Sequence, residues 1–436
     1  MKVLEAEKNI GINIFCNPYE GIGGKLRTKP EDFKVNEISH HPAENPNGKF
    51  TIADVTAVNW ETNLLIRELS DRLHISRQRI SFGGTKDKRA STTQIMSFYN
   101  ISIEKLSQVK IKNVMLSNFY RSNQPVKIGD LHGNRFDIII RDIGNNIEMD
   151  QVQKIASYID SNNGFPNFFG IQRFGIIRPI THIVGRYIVK GDFENAVMSY
   201  IANPIKGEDE EVYKLREELH DTYDFSKALK GYPNYLNYEK AMLNKLVVNP
   251  DDFIGALNEL PRNLLTMFVY AYQSYLFNLI LSERVNKDLP INQAVVGDII
   301  FPIRMNVLDA KVILVKKSNI KKINKQISKS KAFVSGILFG SDSVFSDGEM
   351  GEIEHRIIDN EKIDPRDFII PDMPFVSSSG LRRPILGQVK DLEYDLIDDN
   401  LNPGKKAFNI KFELRKGSYA TCLLREFMKS GDIRNY

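Results

Sequence analysis

From residue 30 onward, apolar and polar positions alternate with two different periods, and each change of period marks an element. In "PEDFKVNEI", Phe33 and Val35 alternate with Lys34 and Asn36 after a turn opened by Pro30, which is the period of a strand. Thr62 or Asn63 can cap a helix whose Ile66, Leu69 and Leu73 share one face, and this helix ends near "HIS". "QRISFGG" and "QIMSFYNIS" read as strands flanking a polar loop. "NRFDIIIRDI" predicts a further strand, and "MDQVQKIASYIDSN" an amphipathic helix. Residues 190 to 389 read as helices followed by a strand-rich part. The ending "FNIKFELRKGSYATCLLREFMK" predicts a strand, a Gly turn, and a helix that buries Leu423, Leu424, Phe427 and Met428, with Ser418 as its cap.

Three stretches depart from these periods. "GFPNFFGIQRFG", at 164 to 175, fits neither period, and its density of Phe and Gly suggests a loop that brings backbone and rings close to a flat ligand. "FGGTKDKRASTTQ", at 82 to 94, is too polar for core and connects two strands, so Asp87 stands on a loop held by rigid elements, where catalytic groups concentrate. Asn263 to Ser282 carries no charge over a length that could span a bilayer. It also contains Thr266, Gln273, Ser274, Asn278 and three tyrosines, and no second such segment accompanies it, so a helix buried in protein is expected.

Composition narrows the chemistry. With 436 residues, 42% of them hydrophobic, the chain can fill two or three cores. A net charge of +4 is compatible with a polyanionic partner without requiring one. Cys16 and Cys422 stand alone, so neither a disulfide framework nor a zinc site is expected, and a reducing cytoplasm fits. The N-terminus lacks the apolar run of a signal peptide. The seven His show no helical pairing with an acid, and His40 and His41 read as surface residues. Lys86 is followed by Asp87, which matches neither a P-loop nor the base-reading motif of GTPases. What remains is one carboxylate among Lys86, Lys88 and Arg89, open at this point to a structural ion pair or a catalytic role. Seven Lys between residues 316 and 331 are either a solvated face or a contact for nucleic-acid phosphate.

Taken in order, "PEDFKVNE", "GTKDKRASTTQ", "GNRF", "NFFGIQRFG", "QSYLFN" and "GSYATCLLRE" resemble the blocks of the TruD family of tRNA pseudouridine synthases, almost from end to end. The resemblance implies an α+β fold: a pseudouridine synthase catalytic domain with a mixed, largely antiparallel sheet flanked by helices, and an inserted α/β TRUD domain. The expected segments are 1–189 and 390–436 for the catalytic domain and 190–389 for the insertion.

It also implies an isomerase that breaks N1–C1′ of a uridine in tRNA, U13 of the D arm by family habit, and forms C5–C1′. Asp87 would be the nucleophile, Arg27 its ion-pair partner and Asn167 a hydrogen-bonding neighbour. Phe169 would stack on the flipped base, with Phe33, Lys86, Gln172 and Arg173 also at the substrate. No metal, cofactor, membrane or obligate protein partner is expected. Two departures stand out: Phe168 replaces the usual Tyr, and Arg415 replaces the Pro that commonly precedes the last turn. Phe136, Phe168 and Phe174 are expected in the core. The alternatives are a catalytically silent RNA-binding protein and a nucleic-acid N-glycosidase on the same fold.

Overall fold

The computed structural model describes residues 2–304, 307–308 and 312–436. The chain forms two compact units. One comprises Asn17–Phe165 with Gly387–Tyr436, and the other Met1–Cys16 with Pro166–Leu386.

The first of these is built on a sheet that, among the described residues, has nine strands. Its main path runs Val389–Asp398, Lys406–Arg415, Leu131–Ile143, Phe33–Ser39, Ser91–Tyr99, Phe50–Val58, Val114–Ser122. Gly23–Lys25 joins Leu131–Ile143, and Ile80–Phe82 joins Ser91–Tyr99. Phe33–Ser39 pairs in parallel with Ser91–Tyr99, while the other pairings are antiparallel, giving the mixed, largely antiparallel α+β architecture expected. The alternation read from "FKVNEI" is realised, with Phe33 and Val35 buried and Lys34 and Asn36 exposed.

Helix Thr62–Leu73 buries Leu65, Ile66, Leu69 and Leu73 against Val55, Met96 and Phe98. Its cap is neither Thr62 nor Asn63: the Glu61 carboxylate accepts from the Asn63 and Leu64 N–H groups, which leaves the Thr62 hydroxyl for another task. Helix Met149–Ser161 buries Val152, Ile155, Ala156 and Ile159. The C-terminal helix Ala420–Met428 buries the four residues expected, but Tyr419 occupies its N-cap position and Ser418 falls one residue too early.

The second unit contains helices Thr181–Val189, Phe193–Ile201, Glu210–Thr222, Asn237–Val248 and Gly348–Glu361 around the long helix Arg262–Asn286. Beside them lies a small antiparallel sheet in which Ala332–Leu338 pairs with both Ile299–Arg304 and Leu381–Pro384. This unit takes in residues 166–189 ahead of residue 190 and ends at Leu386, and its packing shows why the first of these belong to it. Val184, Ile188 and Val189 belong to its core. A Cβ on Gly185 would overlap the Phe268 carbonyl oxygen, so only Gly lets these two helices approach so closely. Arg262–Asn286 is, among the described residues, long and apolar enough to cross a membrane, but 67% of its most apolar window is buried in the protein.

Candidate active site

The loop carrying Asp87 is held from three sides. Thr62, freed from capping, accepts from the Lys86 backbone N–H at 2.7 Å and directs its hydroxyl at the Lys86 carbonyl. The Lys86 ammonium turns inward onto the Glu37 carboxylate, and both side chains are almost wholly buried. Gly83 makes room for that acid, since a Cβ there would stand 3.0 Å from Glu37 Oε1. The "GGTKD" stretch therefore folds around a buried ion pair, and the residue after Lys86 is directed outward.

Asp87 is that outward residue. Its side chain is 61% exposed, and Oδ2 accepts from Arg27 Nη2 at 3.0 Å. Arg27 differs from its partner, with a side chain only 9% exposed and a guanidinium 4.3 Å above the Phe33 ring. Burial pushes the Arg27 guanidinium below its ordinary range, while the Asp87 charge works against that shift. Arg27 has φ of +56°, a left-handed conformation that costs a non-glycine residue energy and that surrounding structure must enforce. The enforcement is visible: Arg89 Nη2 donates to the Arg27 carbonyl, and the Leu26 N–H donates to the Asn435 carbonyl.

Downstream, Asp32 takes a two-pronged hydrogen bond from Arg141, whose Nη1 also reaches Asp399, all three side chains being buried. This network ties the turn of "PEDF" to the sheet and so places Phe33 beneath Arg27. Of the cations around Asp87 in sequence, Lys86 serves the interior, Arg89 holds the Arg27 backbone, and Lys88 lies exposed.

Asn167, Phe169, Gln172 and Arg173 belong to the other unit. The Asn167 N–H donates to the Ile385 carbonyl and its Nδ2 to the Pro384 carbonyl, while its buried Oδ1 has no donor among the described residues. Asn278, from the long helix, brackets Phe169: its Oδ1 accepts the Phe169 N–H, and its Nδ2 donates to the Phe169 and Ile10 carbonyls. The Phe169 ring meets the Phe277 edge and carries the Arg383 guanidinium 3.7 Å from its centroid. Arg173 lies farther off at 5.8 Å, its Nε donating to Ser274 Oγ. Gln172 is half-buried. Phe136, Phe168 and Phe174 are buried as expected.

The sequence reading gave Glu37, Thr62, Asn278 and Arg383 no role at the site. Glu37 and Asn278 stand inside the quoted blocks, which was the available signal. Arg383, in "LRRP", carries none, because its contact with Phe169 spans more than two hundred residues. Among the described residues no group of His, Cys, Asp and Glu is arranged to hold a metal ion.

A family model described as tRNA pseudouridine synthase D (TruD) matches residues 9–427. Proteins named "Probable tRNA pseudouridine synthase D" from Methanosarcina barkeri and Methanococcoides burtonii are 43% and 44% identical, over 98% of each chain in both comparisons. A crystal structure from Methanosarcina mazei, described as a tRNA pseudouridine synthase D (TruD), superposes with a TM-score of 0.90 at 40% identity, covering 100% of both chains. These likenesses place the chain among the pseudouridine synthases. It belongs to the TruD family of tRNA pseudouridine synthases.

Proposed function

We propose that this protein converts a uridine of tRNA, U13 in the D arm, to pseudouridine, with Asp87 as the nucleophile. The observation that carries the reading is the unequal exposure of one ion pair. Asp87 faces outward, yet its carboxylate is oriented by a guanidinium buried on an aromatic ring. A group that must meet an incoming sugar needs access, and its orienting partner needs rigidity.

In the proposed reaction, the carboxylate takes up C1′ or removes the 2′ proton as N1–C1′ breaks. The uracil anion, still held, turns so that C5 faces C1′. C5–C1′ then forms as the bond between Asp87 and C1′ breaks, or as the removed proton returns to C2′; the C5 proton leaves and N1 takes up a proton, so that the base is neither oxidised nor lost. Arg27 holds the negative charge of Asp87 in place without giving up its own proton. Phe169 offers its ring to the flipped base, replacing part of the stacking lost when the base leaves the RNA. Asn167 contributes its amide oxygen, buried and lacking an internal donor. Lys86 and Phe33 act one step back, Lys86 by fixing the loop through Glu37 and Phe33 by supporting Arg27. Gln172 and Arg173 are assigned to the RNA strand, and the protein works in the cytoplasm without a cofactor.

The test is incubation of the purified protein with unmodified tRNA, followed by mass spectrometry of nuclease digests. Pseudouridine at position 13 is the expected product. Free uracil would identify an N-glycosidase, and bound but unchanged tRNA would identify a silent RNA-binding protein.

A further inference from the structure

The connection between strands Val114–Ser122 and Leu131–Ile143 contains "PVKIGDL", which sets one apolar residue, Ile128, at the tip of a polar turn. Val126 is wholly buried in a cluster with Ile52 and Ile95, and its N–H donates to Ser97 Oγ at 3.0 Å, so the incoming chain is fixed. The next four residues close a turn. The Asp130 N–H donates to the Lys127 carbonyl at 3.0 Å, and Gly129, with φ of +92°, takes the left-handed conformation that the third position of a type II turn requires. Asp130 Oδ2 accepts the Lys127 N–H at 2.7 Å and closes the turn a second time. Ile128, at the second position, is left 81% exposed.

This turn is fastened to the loop that carries Asp87. The Gly129 N–H donates to the Gly83 carbonyl at 2.8 Å, and Leu131 packs on the next residue, since a Cβ on Gly84 would stand 3.4 Å from Leu131 Cδ2. Lys416 Nζ donates to the Gly129 carbonyl at 2.8 Å, tying the turn to the C-terminal segment as well. Gly83 precedes Asp87 by four residues, so even a fully extended chain would keep this contact within about 14 Å of Asp87. A single exposed apolar side chain needs no explanation on an ordinary surface. Here the side chain has a fixed position beside the proposed nucleophile. Its surroundings are cationic: Lys127 and Lys416 are exposed at the turn, and Lys88 is exposed on the Asp87 loop. That charge suits a polyanion better than a second copy of this basic chain.

A uridine that leaves a helix leaves a gap in the stack, and the unstacking is what makes flipping costly. Proteins that open or kink a duplex fill such gaps with apolar side chains, Ile among them. We infer that Ile128 is the wedge that enters the place vacated by the target uridine. The rigid turn drives the side chain into the stack, and Lys127 and Lys416 lie beside it to meet the RNA backbone. The inference rests on the proposed reaction, in which the target base must leave its stack. It also limits where Ile128 matters. The side chain contributes only when there is a stack to open, so it favours a target held in a stem and is indifferent to one in a flexible strand.

The experiment compares two RNA fragments with the same sequence around the target uridine, one holding it in a hairpin stem and the other leaving it single-stranded. Each carries 2-aminopurine next to the target, whose fluorescence rises on unstacking, and affinity is read by anisotropy. Wild type and Ile128→Met should bind the stem fragment and raise its fluorescence. Ile128→Ala, which withholds three carbons from burial, should bind the stem fragment roughly 5- to 50-fold more weakly and raise its fluorescence less. On the single-stranded fragment it should match the wild type. Equal losses on both fragments, or no loss on the stem, would overturn the assignment. So would a dimer of the wild type in sedimentation that Ile128→Ala abolishes while both RNA affinities stay unchanged, which would give the side chain to a second copy of the chain. Ile128 is exposed, so its truncation does not threaten folding. Neither readout needs turnover. Failure of the wild type to form pseudouridine would refute the proposed reaction, while the comparison of stem with single strand would still decide the role of Ile128.

Discussion

Replacing Asp87 with Asn removes the proposed nucleophile and one half of an ion pair while keeping the side chain's size. The two consequences have very different magnitudes. For the reaction, loss of a nucleophile that acts as a unit with its neighbours costs on the order of 10⁴-fold or more, so product should fall to the no-enzyme background. For stability, a fully buried pair that loses one partner is destabilised by about 3–5 kcal/mol. This pair is not of that kind. Arg27 is buried, but 61% of the Asp87 side chain faces solvent. Coulomb's law at 3.0 Å in a water-like dielectric gives about 1.4 kcal/mol, and solvent screening and side-chain entropy take part of that back. Asp87→Asn should therefore unfold in urea at a cost of about 1 kcal/mol. The amide oxygen of the substituted side chain can still accept from Arg27. Binding of tRNA should persist, unchanged or slightly stronger, because a negative charge has left a surface offered to phosphate. The assay pairs mass spectrometry of tRNA digests with intact-mass measurement of the protein, which excludes deamidation back to Asp. Pseudouridine formed above background by confirmed Asp87→Asn would refute the catalytic assignment and leave the loop a structural device.

Phe169→Ala should lower turnover by a factor corresponding to roughly 1–3 kcal/mol of lost stacking, with tRNA affinity changed far less. Because the ring also supports Arg383 and Phe277, Phe169→Leu is the companion variant that keeps most of the volume, and equal losses of turnover and affinity would count against base stacking. All seven Lys between 316 and 331 are exposed, and among the described residues none forms an ion pair, four of them lying on or just after the helix Ile320–Ile327 whose Ile323 and Ile327 face inward. Changing Lys321, Lys322, Lys325 and Lys329 to Gln should reduce the slope of log affinity against log salt by about 0.7–0.9 for each phosphate contact removed, and an unchanged slope would make the run a solvated face. His182 packs between Phe174 and Tyr275, and burial, aided by Arg186, lowers it from 6.5 to about 4. The unfolded chain binds that proton first as pH falls, so the contribution is intact above about 6.5 and is lost on the way down to 4. Urea unfolding at pH 7 and 4.5 should differ by about 2–3 kcal/mol more in the wild type than in His182→Phe, and identical pH responses would exclude it.

The parts of the fold legible in the sequence are those where one side of an element meets solvent. Phe33 and Val35 alternate with polar neighbours, and Ile66, Leu69 and Leu73 repeat at helical spacing, because burial on one face imposes a period. The caps were less legible. Thr62 and Ser418 have the right chemistry for capping, but Glu61 takes the first N–H groups, and the last helix starts at Ala420. A hydroxyl near a helix start has several possible partners, and Thr62 spends its own on the Lys86 backbone, a choice made by tertiary structure.

The same distinction runs through the candidate site. Asp87 stood out because a lone acid among cations is a local pattern, whereas the direction of each cation was not local. Lys86 could not be separated from Lys88 by sequence alone. Glu37, forty-nine residues upstream, decides that Lys86 points inward, and Thr62, twenty-four upstream, fixes the backbone that turns Asp87 outward. Each partner comes from an element whose own period or motif was readable. What was unreadable was the register that brings them together, in particular the parallel pairing of Lys34 to Asn36 with Ser91 to Thr93, which sets the Glu37 strand beside the strand leaving the Asp87 loop. A parallel register leaves no hairpin turn in the sequence to announce it. The loop's chemistry was therefore visible while its geometry was not: the buried Lys86–Glu37 pair acts as a pivot, and the residue that follows it is presented to solvent because the pivot cannot be.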